Sequence, residues 1–172
     1  IAALGTSGIA ALGTAATAAI STAGIAALST DQIVALGSAQ IAALKTSQVV
    51  TLSSDQFAAI ETSDIVALST AAIVALSTAA FTAITTDQIG ALSSSQIIAI
   101  ETRDIAVLTT DQFLAMGTTQ IGALSTAQMG ALTTDQIVAL GAGVSALSTA
   151  ATAALNTLAI GALQTDQIAA LT

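Results

Sequence analysis

Large apolar side chains return at two fixed positions of an eight-residue unit that repeats from Ile1 to Thr172 with a single slip. Lettered a to h, the unit runs apolar, small, Ala, Leu, small-polar, Thr, polar, Gln, as in Ile25-Ala26-Ala27-Leu28-Ser29-Thr30-Asp31-Gln32. Position d is Leu, Ile or Met in every unit, and position f is Thr or Ser in every unit except at Ala142. The slip is one missing residue at Gly141-Ala142-Gly143, after which Val144 resumes the count. An eight-residue unit is too small to bury its own apolar face, so it must stack on its neighbours as a solenoid. The expected organisation is therefore one continuous repeat region over 1–172.

Within the unit, helix competes with strand. Ala dominates b and c, and Ala, Leu and Gln favour helix, whereas Ala is poor in strands. Thr or Ser at f followed by Asp at g and Gln at h suggests a helix N-terminus, with the f hydroxyl capping free N–H groups. Where e is Ser and h is Gln, as in Ser53-Ser54-Asp55-Gln56, the spacing also fits a capping box. Gly at e (Gly5, Gly13, Gly37, Gly117, Gly141) suggests a helix stop in the left-handed region. The prediction is one helix of about six residues per unit, from g to d, with a corner at e and f. A β-solenoid is the alternative; its difficulty is that c and d are adjacent and both apolar, where alternation would turn one outward.

At about 100° per residue, a and d fall about 60° apart and define an inward face. Position g points outward, and it carries Asp31, Asp55, Asp87, Asp111, Asp135, Asp166 and Arg103. Positions b and c project sideways, where successive turns would touch, and Val34, Val66, Val74, Val138 and Ile98 would lie exposed at b. A closed turn needs at least three edges, and six-residue helices give edges of roughly 9 Å. Three units per turn then give a triangular prism of about seven turns and roughly 60 to 70 Å, its interior filled by a and d. The Asp-Gln units end at Gln32, Gln56, Gln88, Gln112, Gln136 and Gln167, every three or four units, so four edges per turn remain open, as does handedness.

Composition acts mainly by exclusion. The chain has no Cys, His, Trp, Tyr or Pro, and its only basic side chains are Lys45 and Arg103. Thiolate and imidazole chemistry, disulfides and the usual zinc and haem ligands are absent. A net charge of −8 disfavours nucleic acid and anionic lipid, both of which are bound through Lys and Arg. Mean hydropathy is high at +0.90, yet polar residues interrupt every unit, whereas a membrane span needs about 20 apolar residues in a row. Three Phe cannot supply the aromatic girdles of a membrane barrel. No secretory leader pattern opens the chain, which looks like a segment of something longer.

The strings Leu-Ser-Thr-Asp-Gln-Ile-Val-Ala-Leu (28–36) and Leu-Thr-Thr-Asp-Gln-Ile-Val-Ala-Leu (132–140) resemble octapeptide repeats of very long bacterial surface and secreted proteins, often called adhesin-like or haemolysin-like. The resemblance covers essentially the whole chain, departing near Gly143 and at Thr17 and Thr152, where a is polar. It implies the triangular short-helix solenoid nicknamed the Toblerone fold, an extracellular or cell-surface bacterial location, and a spacer between flanking domains.

Few residues invite a site. Glu61 with Asp64, and Glu101 with Asp104, place carboxylates three apart in near-identical strings. A weak calcium site is the sharp reading, but calcium takes six to eight oxygen ligands, and helix capping on a solvated corner is the simpler one. Glycoside hydrolysis would need a cleft and sugar-stacking aromatics. Lys45 and Arg103 read as solvated charges, and Phe57, Phe81, Phe113, Met116 and Met129 as core. No catalytic, cofactor-binding or metal-binding residue is expected, and no enzyme activity.

The Thr/Ser column at f supports a competing function, ice binding or adhesion, if its hydroxyls lie free in ranks. Capping would occupy them, and free exchange of Ser with Thr argues against ice. Similar first, last and interior units expose apolar cross-sections at both ends, so end-to-end self-association is expected. The sequence favours a stiff structural spacer.

Overall fold

The computed structural model describes residues 3–171, and the description there is entirely of short helices and corners. Ile1, Ala2 and Thr172, with which the repeat opens and closes, and the Ala142 side chain at the slip lie outside the described residues. Twenty α-helices of four to six residues and one 3-10 segment follow one another, with no strand among the described residues. The β-solenoid alternative is thereby rejected.

Each α-helix starts at f, one residue earlier than the sequence suggests, and ends at b or c, except Thr46–Val49 and Thr62–Ile65, which end at a. The reason is the cap. The side chain at e accepts from the N–H of h, as in Ser29 from Gln32 (3.2 Å), Thr85 from Gln88 (3.1 Å) and Asn156 from Ala159 (2.8 Å). Position e is therefore the N-cap, with extended backbone, and the f hydroxyl points elsewhere. Glycine at e serves as this extended N-cap at four of the five positions, with φ −65° at Gly5, −72° at Gly13, −85° at Gly37 and −73° at Gly117. Only Gly141, just past the end of the helix Thr134–Ala139, takes the left-handed conformation expected of a helix stop. The chain leaves the six-residue helices by extending at d, where ψ is 131° at Leu44 and 140° at Leu92, except after Thr134–Ala139 and Thr165–Ala170.

The helices stack with a period of three units, which fixes 24 residues per turn. One face carries α1 (Thr6–Ala10), α4 (Thr30–Val34), α7 (Ser54–Ala58), α10 (Thr78–Ala83), α13 (Thr102–Ala106), α16 (Thr126–Gly130) and α18 (Thr149–Ala153). The second carries α2 (Thr14–Ala19), α5 (Ser38–Ala43), α8 (Thr62–Ile65), α11 (Thr86–Ala91), α14 (Thr110–Leu114), α17 (Thr134–Ala139) and α19 (Thr157–Ala162). The third carries α3 (Thr22–Ala26), α6 (Thr46–Val49), α9 (Thr70–Ala75), α12 (Ser94–Ala99), α15 (Thr118–Gly122), the 3-10 segment Gly141–Ala146 and α20 (Thr165–Ala170). Each element packs on the one three before it and the one three after it. The result is a triangular prism of seven turns.

Positions a and d form one continuous apolar core along the axis, including Phe57, Phe81, Phe113, Met116 and Met129. Position g faces outward, and b lies on the flank beside the next turn with its larger side chains exposed as expected, Val34, Val66, Val74, Ile98 and Val138 all being open to solvent. Bulk at b is limited where turns come close. A Cβ on Gly90 would stand 2.9 Å from the Ala115 carbonyl oxygen, so only glycine fits without a backbone shift.

The seven-residue unit at the slip is absorbed by a change of helix type. A 3-10 helix rises about 2.0 Å per residue against 1.5 Å for α, so fewer residues span the same edge. Gly141 enters it with φ +49°, the one positive φ among the described residues. The segment keeps its place in the stack, packed on α15 below and α20 above.

Candidate functional site

The polar feature that the structure builds is a column of buried glutamines. Eleven of the twelve glutamines in the chain stand at h, and those eleven are buried between turns. Each uses both ends of its amide. The oxygen accepts from the N–H of e in its own unit, at 2.9 Å for Gly37 to Gln40 and 2.8 Å for Ser53 to Gln56. Together with the e side chain this closes a capping box. At Gly37, Lys45, Gly117 and Gln164 only the glutamine half of the box exists.

The Nε2 atom reaches the corner three units earlier. Gln40 donates to the carbonyls of Ile9 (2.8 Å) and Leu12 (2.9 Å), and Gln136 to those of Ile105 and Leu108 (2.9 Å each). Gln88 reaches Phe57 (3.2 Å), Ala58 (3.1 Å) and Ile60 (2.7 Å). Among the described residues the carbonyls of Leu12, Ile60 and Leu108 have no backbone partner, whereas those of Ile9, Phe57 and Ile105 also accept from the N–H at d of their own unit. One amide thus serves the start of one helix and the end of another a turn below. Helices of four to six residues are unstable alone, and these clasps supply part of what isolated turns lack.

The h column, in its reach between turns, is what reasoning from the sequence missed. The signal was present: h is Gln, Asp, Gly or Ala, whereas solvent-facing g ranges over Asp, Ser, Ala, Thr, Leu and Arg. A polar position restricted to one amide points to a specific bond.

Two h positions hold aspartate instead, and both paired-carboxylate motifs fall there. Asp64 and Asp104 are buried, not on solvated corners, because h faces the turn below. Asp64 accepts from the Ser38 hydroxyl, and Asp104 Oδ1 from Thr78 Oγ1 at 2.7 Å. Glu61 and Glu101 are N-caps with no side-chain capping bond. Arg103 is not a free surface charge: its guanidinium pairs with Glu101, and its Nε lies 3.7 Å from Asp104 Oδ2. That oxygen is buried without a hydrogen-bond partner among the described residues. Against a calcium reading, the two carboxylates already face a cationic side chain, and among the described residues no group of three or more His, Cys, Asp or Glu could hold a metal ion. Lys45 is an exposed N-cap.

The f hydroxyls do not cap, so the capping objection to the Thr column falls. Thr6, Thr30, Thr102 and Thr126 are exposed along one edge of the prism. Among the described f residues, Ser38 and Thr78 donate to the buried aspartates, and Ser54 lies 3.4 Å from the Ala79 carbonyl. No described helix is long and apolar enough to cross a membrane.

The family model of the ALTTAQ repeat matches residues 1–38, 57–94, 97–134 and 105–142. Its six letters correspond to positions c to h, seen here as Ala-Leu-Ser-Thr-Ala-Gln (123–128) and Ala-Leu-Thr-Thr-Asp-Gln (131–136). Within that string, e is the cap, f carries the hydroxyl and h the clasp. No curated protein matches the chain.

Proposed function

Because the chain belongs to the ALTTAQ repeat family, we propose that it is a stiff, non-catalytic spacer that holds other parts of a longer protein apart. The observation that carries this reading is the glutamine column. It ties a turn to the one below at several corners, so bending would strain buried hydrogen bonds as well as the core. The a and d side chains fill the axis and leave the prism no interior for a ligand.

The likeness of 28–36 and 132–140 to repeats of large bacterial surface and secreted proteins supports an extracellular bacterial setting and the Toblerone kind of solenoid. Flanking domains of a longer chain are the first partners in that setting. A second copy stacked end to end is a further one, because each turn already packs on a near-identical turn along the prism. A monodisperse monomer in concentrated sedimentation runs would remove that partner.

Rigidity is the property to measure. The chain has no cysteine, so Thr14→Cys with Thr134→Cys places two spin labels on exposed positions of one face, five turns apart. At about 8 to 10 Å per turn, the expected separation is roughly 40 to 50 Å with a narrow distribution. A broad or much shorter distribution in pulsed electron paramagnetic resonance would rule out a stiff spacer.

The exposed f hydroxyls favour a second reading, adhesion or ice binding through the Thr/Ser column. The f residues adjoin the corners, however, and the faces between them carry g and b. Ice-recrystallisation inhibition that is lost in Thr6→Val with Thr30→Val would establish it; no inhibition would dismiss it.

A further inference from the structure

The glutamine clasps are interrupted at two levels, and each interruption spans one whole turn. Gln32, Gln40, Gln48 and Gln56 occupy four successive h positions. The next three are Asp64, Ala72 and Ala80, none of which has an N–H donor in its side chain. Three successive units make one turn, so all three edges of the prism are unclasped together. The corners concerned follow α4, α5 and α6, where by the column's spacing the carbonyls of Leu36, Leu44 and Leu52 would take the amide.

Clasps then resume with Gln88 and Gln96 and run to Gln136, broken only at Asp104, where both neighbouring edges keep theirs. The second interruption is again a full turn. The unit ending at Gly143 is one residue short and lacks an h position, and the next two carry Ala151 and Ala159. Gln167 then reaches the Ile137 carbonyl at 2.8 Å. Ala72, Ala80, Ala151 and Ala159 are all buried, so at those corners a methyl group stands where an amide would.

We propose that the solenoid is a segmented rod. Three clasped blocks, α1–α7, α8–α17 and the 3-10 segment through α20, part first at the two amide-poor boundaries, each crossed by a single glutamine, Gln88 to Phe57 in α7 and Gln167 to Ile137 in α17, under load or thermal stress. The physics is a contrast between interfaces. A clasped boundary must break buried glutamine hydrogen bonds at each corner before its layers separate, whereas an amide-poor boundary holds one glutamine clasp and few other bonds, Ser38 with Asp64 and Ser54 with Ala79 at the first and Asn156 with Gly130 at the second. In a stack where each turn touches only its neighbours, stability is set interface by interface, so weak levels open independently of the rest. The use of such segmentation, extension in steps, rests on the spacer reading; the segmentation itself does not.

The test is optical-tweezers extension of the full chain through cysteines added beyond each terminus, with amide hydrogen exchange as an independent readout. The expected trace has discrete steps, the largest from the middle block of about eighty residues, which at about 3.5 Å each gives roughly 280 Å. Ala72→Gln with Ala80→Gln merges the first two blocks into one longer step. Ala72→Met with Ala80→Met, similar in volume but without a donor, leaves them separate. In the unaltered chain, amides of α5–α10 exchange at least tenfold faster than those of α14–α16. Unzipping turn by turn with no pause at either level, merging by Met as readily as by Gln, or uniform exchange would each overturn the proposal. A rod shown stiff by spin labels but unsegmented under load would sink the segmentation alone. A flexible chain that still breaks at the two levels would sink the spacer alone.

Discussion

Replacing Gln88 separates the hydrogen bonds of the clasp from the volume of the side chain. Gln88 is buried; its oxygen accepts from the Thr85 N–H at 3.0 Å and its Nε2 donates to the Ile60 carbonyl at 2.7 Å, with Phe57 and Ala58 sharing the other N–H. Gln88→Ala removes three hydrogen bonds, each worth about 0.5 to 1.5 kcal/mol net, so the expected loss is roughly 2 to 4 kcal/mol. The backbone cap survives, because Ser69 and Ser77 cap the alanines at the same position. Gln88→Glu keeps the acceptor but turns a second acceptor toward the carbonyls and buries a charge. It should therefore cost about 1 to 3 kcal/mol more than alanine at neutral pH, although it is nearly isosteric with glutamine. The introduced carboxyl is pushed above its unfolded value of about 4.3 by burial and the facing carbonyls. A raised folded-state pKa means that stability is present below the unfolded pKa and is lost as pH rises through the folded one. Gln88→Glu should thus approach the parent near pH 4 and be the weaker variant at pH 7. Urea melts followed by circular dichroism at the two pH values give the order, and hydrogen exchange at α7 and α11 locates it. Equal midpoints for the two variants at pH 7 would show that the buried amide is mere filling.

Other substitutions probe the remaining supports. Thr78→Ala takes the hydroxyl from Asp104, whose second oxygen already lacks a partner, and should cost about 1 to 3 kcal/mol; Thr30→Ala at the same unit position should be near neutral, and equal urea midpoints would refute the pairing. Phe57→Ala empties the axis at a fully buried site and should cost about 3 to 5 kcal/mol in the same melts. Gly90→Ala forces a Cβ onto the Ala115 carbonyl and should cost about 1 to 3 kcal/mol, a reasoning undone if the melting temperature does not fall. Gly117→Ser supplies the missing cap for the Gln120 N–H in a backbone already extended and should raise stability by roughly 0.5 kcal/mol.

The parts of the fold legible in the sequence are those governed by periodicity. An apolar residue at a and d in nearly every unit dictates an inward column, and short edges around such a column leave room for three helices per turn. Helix boundaries were less legible because e and f are both hydroxyl-rich. Ser29 and Thr30 are each plausible caps, and only the bond from Gln32 N–H to Ser29 decides between them. Once e is the cap, f becomes the first helical residue and d leaves the helix. A single choice of cap thus accounts for the misplaced helix start and for the extended glycines at Gly5, Gly13, Gly37 and Gly117.

The glutamine column was illegible for a different reason. Local propensity explains a glutamine at h fully, through its acceptance from the e N–H, so nothing in one unit calls for a second role. The second role appears only when the unit three earlier is brought beneath it, and then the geometry is forced. A helix this short has almost as many end groups as internal bonds, so carbonyls at each corner need donors, and an amide at h is the side chain that caps one helix while donating to another. Ser or Thr there would be too short to reach, Glu would lack the donor, and Lys would lack the acceptor. Asp64 and Asp104 show the consequence of departing from this rule, since each turns to a hydroxyl of the turn below instead of a carbonyl.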